Sequence, residues 1–396
     1  VPPPRSRTPA CIASPRSPCS PSPPRPWPAR RPTHGPPRLA LANGTEATLT
    51  GNVAWDVNRF DADGAALDND QDWRRKEFGV AIKRKGLYDF TASYDFQSDT
   101  WLDVALRLES KGLTGRDLGK WRIGQMKLPL GFEGNTATRS GAFMENALPT
   151  QAFYEGRRIG VDWALERPRW LFNAGAYSHD LQGNNRGDSL AARLAWTPRK
   201  QPSHVLHLGV SSTRERPDAE TNGLGVEVAP SVRWRARPEA SLTSLRLVDS
   251  GTLREVERID RRGLEALWIE GPWSLQGEYL QQTTRRHALP HYRSDGWYLA
   301  GSWLLTGESR TYSGGNVANP RPAGRHGAVE LLARYSRIDL DDGLIRGGRE
   351  HNWTVGANWY LGNHLKFQAN YVHADARRGT AHWQPEVVQL RAQLHF

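Results

Sequence analysis

The sequence predicts an all-β protein: a sixteen-stranded antiparallel transmembrane β-barrel preceded by a disordered Pro-rich leader. Three observations carry this reading. From about residue 47 the chain falls into strand-length segments whose apolar and polar side chains alternate with period two. The segments are joined by alternately short and long connections. Mean hydropathy is −0.66, and no apolar run approaches the roughly 18 residues of a membrane helix. A barrel strand needs no such run, because only one of its faces meets lipid.

The leader comes first. Residues 1–42 are rich in Pro, Arg and Ser, and this composition cannot build a core. Seven of the eleven net positive charges come from its arginines, so the body is only mildly basic. Ala40 and Ala42 in "LALANG" form the A-x-A pattern that signal peptidase cuts after, although no apolar stretch precedes it. The expectation is a disordered leader or mis-read signal region over 1–42 and an outer-membrane barrel over 43–396. Both cysteines, Cys11 and Cys19, lie in the leader, so the body has no disulfide framework and no Cys-based zinc site. The leader arginines form no repeat and have a single aromatic residue, Trp27, among them, and no nucleic-acid partner is expected.

Sixteen strands are expected near 47–60, 73–84, 87–98, 101–110, 119–128, 157–166, 169–178, 188–198, 204–214, 262–271, 273–285, 293–306, 326–338, 350–361, 364–376 and 385–396. The first sets Leu49, Val53, Trp55 and Val57 against Thr50, Asn52, Asp56 and Asn58. The sixth sets Ile159, Val161, Trp163 and Leu165 against Arg158, Gly160 and Asp162. The last sets Val388, Leu390, Ala392 and Leu394 against Gln389, Arg391, Gln393 and His395, and ends on an aromatic residue, Phe396, the expected assembly signal. A propeller would show an internal repeat near 40–50 residues, and none is present.

Strand parity orders the connections. The 129–156 connection follows the fifth strand and becomes the third external loop (L3). The 215–261 connection follows the ninth and becomes the fifth (L5). The 307–325 connection is a long exception on the periplasmic side. L5 contains "SVRWRARPEAS", with Arg233, Arg235 and Arg237 two residues apart. Extended backbone puts all three on one face. Near mid-bilayer each would cost a few kcal/mol facing lipid, so the row must face water. In "WLDVALRL", alternation places Asp103 and Arg107 on the lumen side.

The body resembles the phosphate-selective porin family (porin O and P type). The likeness rests on "DWRRKEFGV", "GFEGNTATRSGAFMENALPTQAFYEGRRIGV", "VRWRARPEA" followed by "LRLVDSG", "EGPWSLQGEYL", "YLAGSWLLTGESR" and "NHLKFQANYV", in the same order and spacing. It implies a homotrimeric channel of the bacterial outer membrane, selective for phosphate or other small anions. Its partners would be outer-membrane lipid, lipopolysaccharide and the barrel assembly machinery. By resemblance, the anion pathway comprises Arg74, Arg75, Asp103, Lys127, Thr136, Thr138, Arg139, Arg233, Arg235 and Arg237. The third loop departs from the phosphate-specific pattern of the family. Gly134 replaces a lysine, Ala137 and Thr138 replace two serines, and Asn146 replaces an arginine, while Lys127 stands at a tyrosine position.

Arginine suits oxyanions because its planar fork donates two hydrogen bonds and stays protonated. Conduction requires such sites to be weak and successive. Asp103 would temper the field, or pair with Arg75 or Arg139, and the Thr136 and Thr138 hydroxyls would replace lost hydration. The chain carries no G-x-S-x-G, P-loop, zincin or dinucleotide motif. No enzyme activity, cofactor or resident metal is expected. "DLDDG" at 339–343 is read as an exposed loop before a calcium or divalent-bridged lipopolysaccharide site. The alternatives to a phosphate channel are a general anion porin and a non-conducting outer-membrane binding barrel.

Overall fold

Residues 38–221 and 223–396 are described by the computed structural model. Sixteen long strands run through them: β1 Thr45–Asp61, β2 Asp70–Arg84, β3 Tyr88–Asp95, β4 Thr100–Glu109, β5 Lys120–Lys127, β6 Arg157–Glu166, β7 Trp170–Tyr177, β8 Asp188–Gln201, β9 His204–Arg216, β10 Val256–Glu270, β11 Trp273–Arg286, β12 Leu289–Leu304, β13 Ala328–Asp342, β14 Ile345–Leu361, β15 Leu365–Arg378 and β16 Glu386–His395. Each pairs antiparallel with the next, and β16 returns to β1 with Asn52 opposite His395 and Asp61 opposite Glu386. Phe396 extends this seam: its backbone N–H and C=O exchange bonds of 3.0 and 3.1 Å with Gly51. Its ring lies where a Cβ on Gly51 would sit, 2.4 Å from the nearest ring atom. Closure leaves no long unpaired edge, which hydrocarbon would not tolerate.

The leader falls mostly outside the described residues. Its last part, Arg38–Ala40, pairs with Glu46–Thr48 and so continues the sheet. The external ends of β10, β12 and β14 begin earlier than the alternation suggested. The external connections after β11 and β13 shrink to tight turns at 287–288 and 343–344. Above the lipid band both strand faces are polar. In β10 Arg261 points inward while Asp260 and Arg262 point out, so the apolar period vanishes where the strand continues. The stretch read as an exposed "DLDDG" loop is therefore mostly strand. Asp339 and Asp341 pair with Arg349 at 2.9 and 3.5 Å, and no metal-type cluster forms among the described residues.

Outward aromatics form two girdles. At the periplasmic end Trp273 stacks on Trp303 at 4.8 Å and Trp170 on Trp196 at 6.0 Å. Toward the external end Tyr94 meets Trp101 at 5.0 Å and Tyr335 meets Trp353 at 4.8 Å. Indole and phenol rings favour this depth because one edge is apolar and the other wet. This placement accounts for much of the tryptophan content.

The lumen is not uniform. Inward residues of β10 and β12–β16 are almost all buried, whereas those of β3–β7 are mostly half-exposed. Three infolded segments fill the first side and leave a water path along the second. The first is L3, 128–156, with a short helix at Leu148–Phe153. The second is L5, a two-stranded ribbon pairing Val232 with Leu253 and Ala236 with Val248. The third rises from the periplasmic end within the connection between β12 and β13. Its hairpin, Thr311–Ser313 with Asn316–Ala318, turns on Gly314 and Gly315, both at positive φ (56° and 77°) as a two-residue hairpin turn of this type requires. Tyr312 bonds His207 at 2.7 Å, and Val317 packs with Phe132 of L3.

Gly124 marks a close approach within the β4–β5 pair. Its φ is +126°, and a Cβ there would lie 2.2 Å from the Val104 carbonyl oxygen. Substituting alanine is expected to cost about 1–3 kcal/mol for the strained backbone and to lower the temperature at which the barrel loses its compact mobility in SDS gels. An unchanged transition would show that the strand relaxes freely there.

Candidate anion pathway

L3 is held at both ends and in the middle. Glu278 of β11 accepts the backbone N–H groups of Phe132 and Glu133 at the start of the loop. At its end, Glu155 sits in a buried square with Arg158, Arg261 and Glu215, where each arginine meets both carboxylates. Midway, Lys366 donates to the Gly141 carbonyl at 2.6 Å and Gln368 to Ala142 at 3.0 Å. Many arginines of this chain are thus staples between loop and wall rather than free cations.

The paired arginines of β2 both reach the lumen. Strict alternation would send only one of them inward. The register with β1 slips between Ala54 and Trp55, and this bulge inserts the extra residue that lets both turn the same way. Arg74 makes a bidentate contact with Glu145 of L3 at 2.9 and 3.0 Å. Arg75 meets Glu77 at 2.9 Å. Arg391 of β16 also reaches Glu145, at 3.0 Å. Burial pushes the Glu145 carboxyl up, but Arg74 and Arg391 outweigh it and hold it well below the usual carboxylate range.

Below this level, Asp103 faces the lumen as expected, but its partner is Arg157, at 2.7 Å, rather than Arg75 or Arg139. Lys127 donates to the Gly134 and Thr136 carbonyls, both at 2.8 Å, so it braces L3 while bringing a charge to the path. Thr136 departs from expectation: its hydroxyl turns back to the Phe132 carbonyl of its own loop at 3.1 Å, so it does not offer itself to an ion. Thr138 does face the path, with its hydroxyl 3.4 Å from Glu77. Arg139 is exposed on a single 3₁₀ turn, with its carbonyl held by Asn319 of the periplasmic segment at 3.1 Å. A cavity of about 120 Å3 at this level is lined by Arg74, Arg75, Lys127, Thr136 and Thr138 among others.

Toward the external mouth the L5 arginines keep the predicted one-sided order. Trp234 and Ala236 are buried against Phe153 and Leu148 of L3, while Arg233 and Arg235 are exposed and Arg237 is half-buried on the opposite face. Arg233 is matched by Asp249 at 2.5 Å. Arg235 and Arg237 form no ion pair among the described residues, and Arg246 joins them from the loop just before the returning strand of the ribbon. Burial, then the charges of Arg237 and Arg235, pull the Arg246 guanidinium down to about 10. The recess they share with Arg74, Glu145 and Arg233 has a volume of about 340 Å3.

Four residues of this site escaped the sequence reading: Glu77, Glu145, Arg157 and Arg246. Strand parity puts Arg157 outward, yet it is the first residue of β6, directly after Gly156 at φ +87°, and its side chain turns in. Glu145 and Arg246 lie in loops, where no period exists to read.

The chain matches the family described as phosphate-selective porin O and P over residues 48–396. A Caulobacter vibrioides protein described as uncharacterized is 27% identical over 427 residues, covering 100% of this chain and 83% of its own. Porin O of Pseudomonas aeruginosa is 26% identical over 267 residues, 60% of each chain. Among solved structures, OmpT of Vibrio cholerae aligns with a TM-score of 0.59 at 9% identity, covering 90% of this chain and 99% of OmpT. An anion-selective porin from Comamonas acidovorans aligns with a TM-score of 0.56 at 14% identity, covering 89% and 100%. At such identities these two bear on the fold alone. The sixteen-stranded barrel and the match across nearly its whole length place the chain in the phosphate-selective porin O and P family, a channel protein of the bacterial outer membrane.

Proposed function

We propose that the channel is passive and selective for anions, with Arg235, Arg237, Arg246 and Arg74 forming an arginine ladder that leads phosphate-type oxyanions to L3. One observation carries the reading: five arginines and a single carboxylate, Glu145, line the external recess. Like charges held together repel, and a passing anion relieves that repulsion. In a narrow bore with low-dielectric walls this raises local anion concentration and excludes cations. The path then continues past Arg75, Lys127 and Arg157 to Arg122, which is bound to Asp162. No step requires a reacting group, so catalysis forms no part of the proposal.

A second reading, a general anion porin without phosphate specificity, is favoured by the constriction itself. Arg74, Arg75 and Arg157 each meet a carboxylate, and Lys127 is bonded to two carbonyls. Matched cations bind an incoming phosphate more weakly than bare ones. By the same inference the channel works as a homotrimer, consistent with its exposed Phe96, Trp101, Trp121 and Trp170 on the short-stranded wall.

Planar bilayers under a salt gradient test this. An anion-signed reversal potential is expected for the full chain, and replacing Arg235, Arg237 and Arg246 by Gln is expected to bring it toward zero. Chloride current blocked by low phosphate would establish phosphate preference, and anion-signed current without block would leave the general anion porin. A cation-signed or absent current would overturn both, the latter in favour of a non-conducting binding barrel.

A further inference from the structure

We propose that the outward external rim of β9–β11 binds the phosphate-bearing headgroup of an outer-leaflet lipid. The site is built on Asp260, which points outward from β10 and whose side chain is only 16% exposed. Three adjacent strands bring an arginine to it. Arg214 of β9 and Arg258 of β10 each place Nε 2.9 Å from a carboxylate oxygen, and Arg285 of β11 places Nε at 3.6 Å. One carboxylate balances only one guanidinium, so the cluster keeps an excess of positive charge. The terminal nitrogens of all three arginines make no hydrogen bond to any described residue, which leaves their forks available to a phosphate. Arg262, two residues further along the outward face of β10, adds a fourth cation.

Position selects a lipid over a free anion. The cluster is on the outside of the wall, separated from the conduction path; the intervening Arg261 points inward to Glu155 and Glu215. Arginines there cannot sit at hydrocarbon depth, so they mark the headgroup level. Directly below on the same strands are the exposed apolar side chains of Val210 and Leu264. Beneath these, small residues on neighbouring strands, Ala266 opposite Gly277, leave a groove of about 400 Å3 flanked by Trp268, Leu275 and Leu299. Four residues separate Asp260 from Leu264, about 13 Å at ~3.3 Å per residue. A cationic cluster above an apolar groove at that spacing matches an amphiphile with phosphate at one end and acyl chains below. The phosphate contributes charge-assisted hydrogen bonds, and the chains contribute area removed from other surroundings.

The test uses the purified full chain in detergent, titrated with three probes: a diphosphorylated disaccharide lipid (lipid A), its dephosphorylated form, and inorganic phosphate. Native mass spectrometry reads retained lipid, and bilayer conductance reports intact folding. Wild type is expected to retain the phosphorylated lipid ~tenfold better than the dephosphorylated form, the scale of a few charge-assisted bonds. R214Q/R258Q/R285Q is expected to lose that difference while conducting normally, and A266L, which fills the groove, to retain less of both lipids. Should the triple variant fold poorly, R285Q alone is expected to narrow the difference about threefold, since Arg285 makes the longest contact. Equal retention of the two lipids by wild type, or an undiminished preference in the arginine variants, would overturn the proposal. So would inorganic phosphate competing away the phosphorylated lipid at equal concentration, which would identify a free-anion site. Because conductance and lipid retention are read separately, failure of the channel reading leaves this result interpretable.

Discussion

Replacing Arg334 with methionine is expected to loosen both infolded external loops at once while leaving the barrel closed. Arg334 stands on β13 and is 1% exposed. It meets Glu133 of L3 at 3.1 Å and Glu239 of L5 at 2.6 Å, donates to the Glu145 carbonyl at 3.0 Å, and lies 4.3 Å from the centroid of Phe143. Its two ion pairs therefore tie L3 and L5 to the same point of the wall. Glu239 is held in a left-handed backbone conformation, φ +52°, which a non-glycine residue keeps only under constraint from its surroundings. Its carboxylate also takes hydroxyl bonds from Ser336 and Thr354. Removing the guanidinium leaves Glu133 and Glu239 buried without their counter-charge, a loss of about 3–5 kcal/mol of loop docking. The result expected in single-channel records is frequent closures and a wider spread of conductance, with anion selectivity reduced. R334M/E239Q should recover part of the quiet behaviour, because it removes the stranded charge as well as its partner. Steady openings in R334M, indistinguishable from wild type, would show that the remaining staples suffice.

How much of this could be read from the chain depends on where period two survives. It survives through the lipid band, where one face must be apolar, and all sixteen strands were legible there. It fails at the rims. β10 and β14 run on above the band with charge on both faces, and the polar stretches taken for loops proved to be strand. It fails again where a bulge breaks parity, as at Arg74 and Arg75, and at the first residue of a strand, as at Arg157. The arginine row of L5 was legible because it is extended and amphipathic, with Trp234 and Ala236 turned to the core. The carboxylates that match the constriction cations were not. Glu145 meets Arg74 from 71 residues away, and a pairing of that range leaves no local pattern. The periplasmic hairpin at 311–318 lies within the connection that stood out only by its length. What could not be read is that it rises into the lumen, since that follows from contacts such as Tyr312 with His207.

The Glu145→Gln substitution is expected to make the channel more anion-selective and slower to release phosphate. In the native chain this carboxylate neutralises Arg74 at the point where the L5 recess meets the constriction, and it shares Arg391 with Asp56. Glutamine keeps the shape and can still accept a hydrogen bond, but it removes one negative charge. Two unit charges 4 Å apart interact by about 4 kcal/mol at an effective dielectric constant near 20. Even a quarter of that, passed on to an anion at Arg74, would lengthen residence roughly fivefold. The expected signature is a larger anion-signed reversal potential and phosphate block at lower concentration than in wild type. The pH dependence separates this from a structural effect. Arg74 and Arg391 depress the Glu145 carboxyl despite its burial, so its ionised contribution to holding L3 is complete above the ordinary carboxylate range near pH 4.5. That contribution is lost only as the pH falls further, through the depressed value. The contribution of Glu145 to selectivity should therefore stay constant from about pH 8 down to about pH 5, so that E145Q differs from wild type by a constant offset across that window. An offset that vanished at the acidic end of the window would mean that Glu145 is already protonated there, and that its pairing with Arg74 is weaker than the geometry indicates.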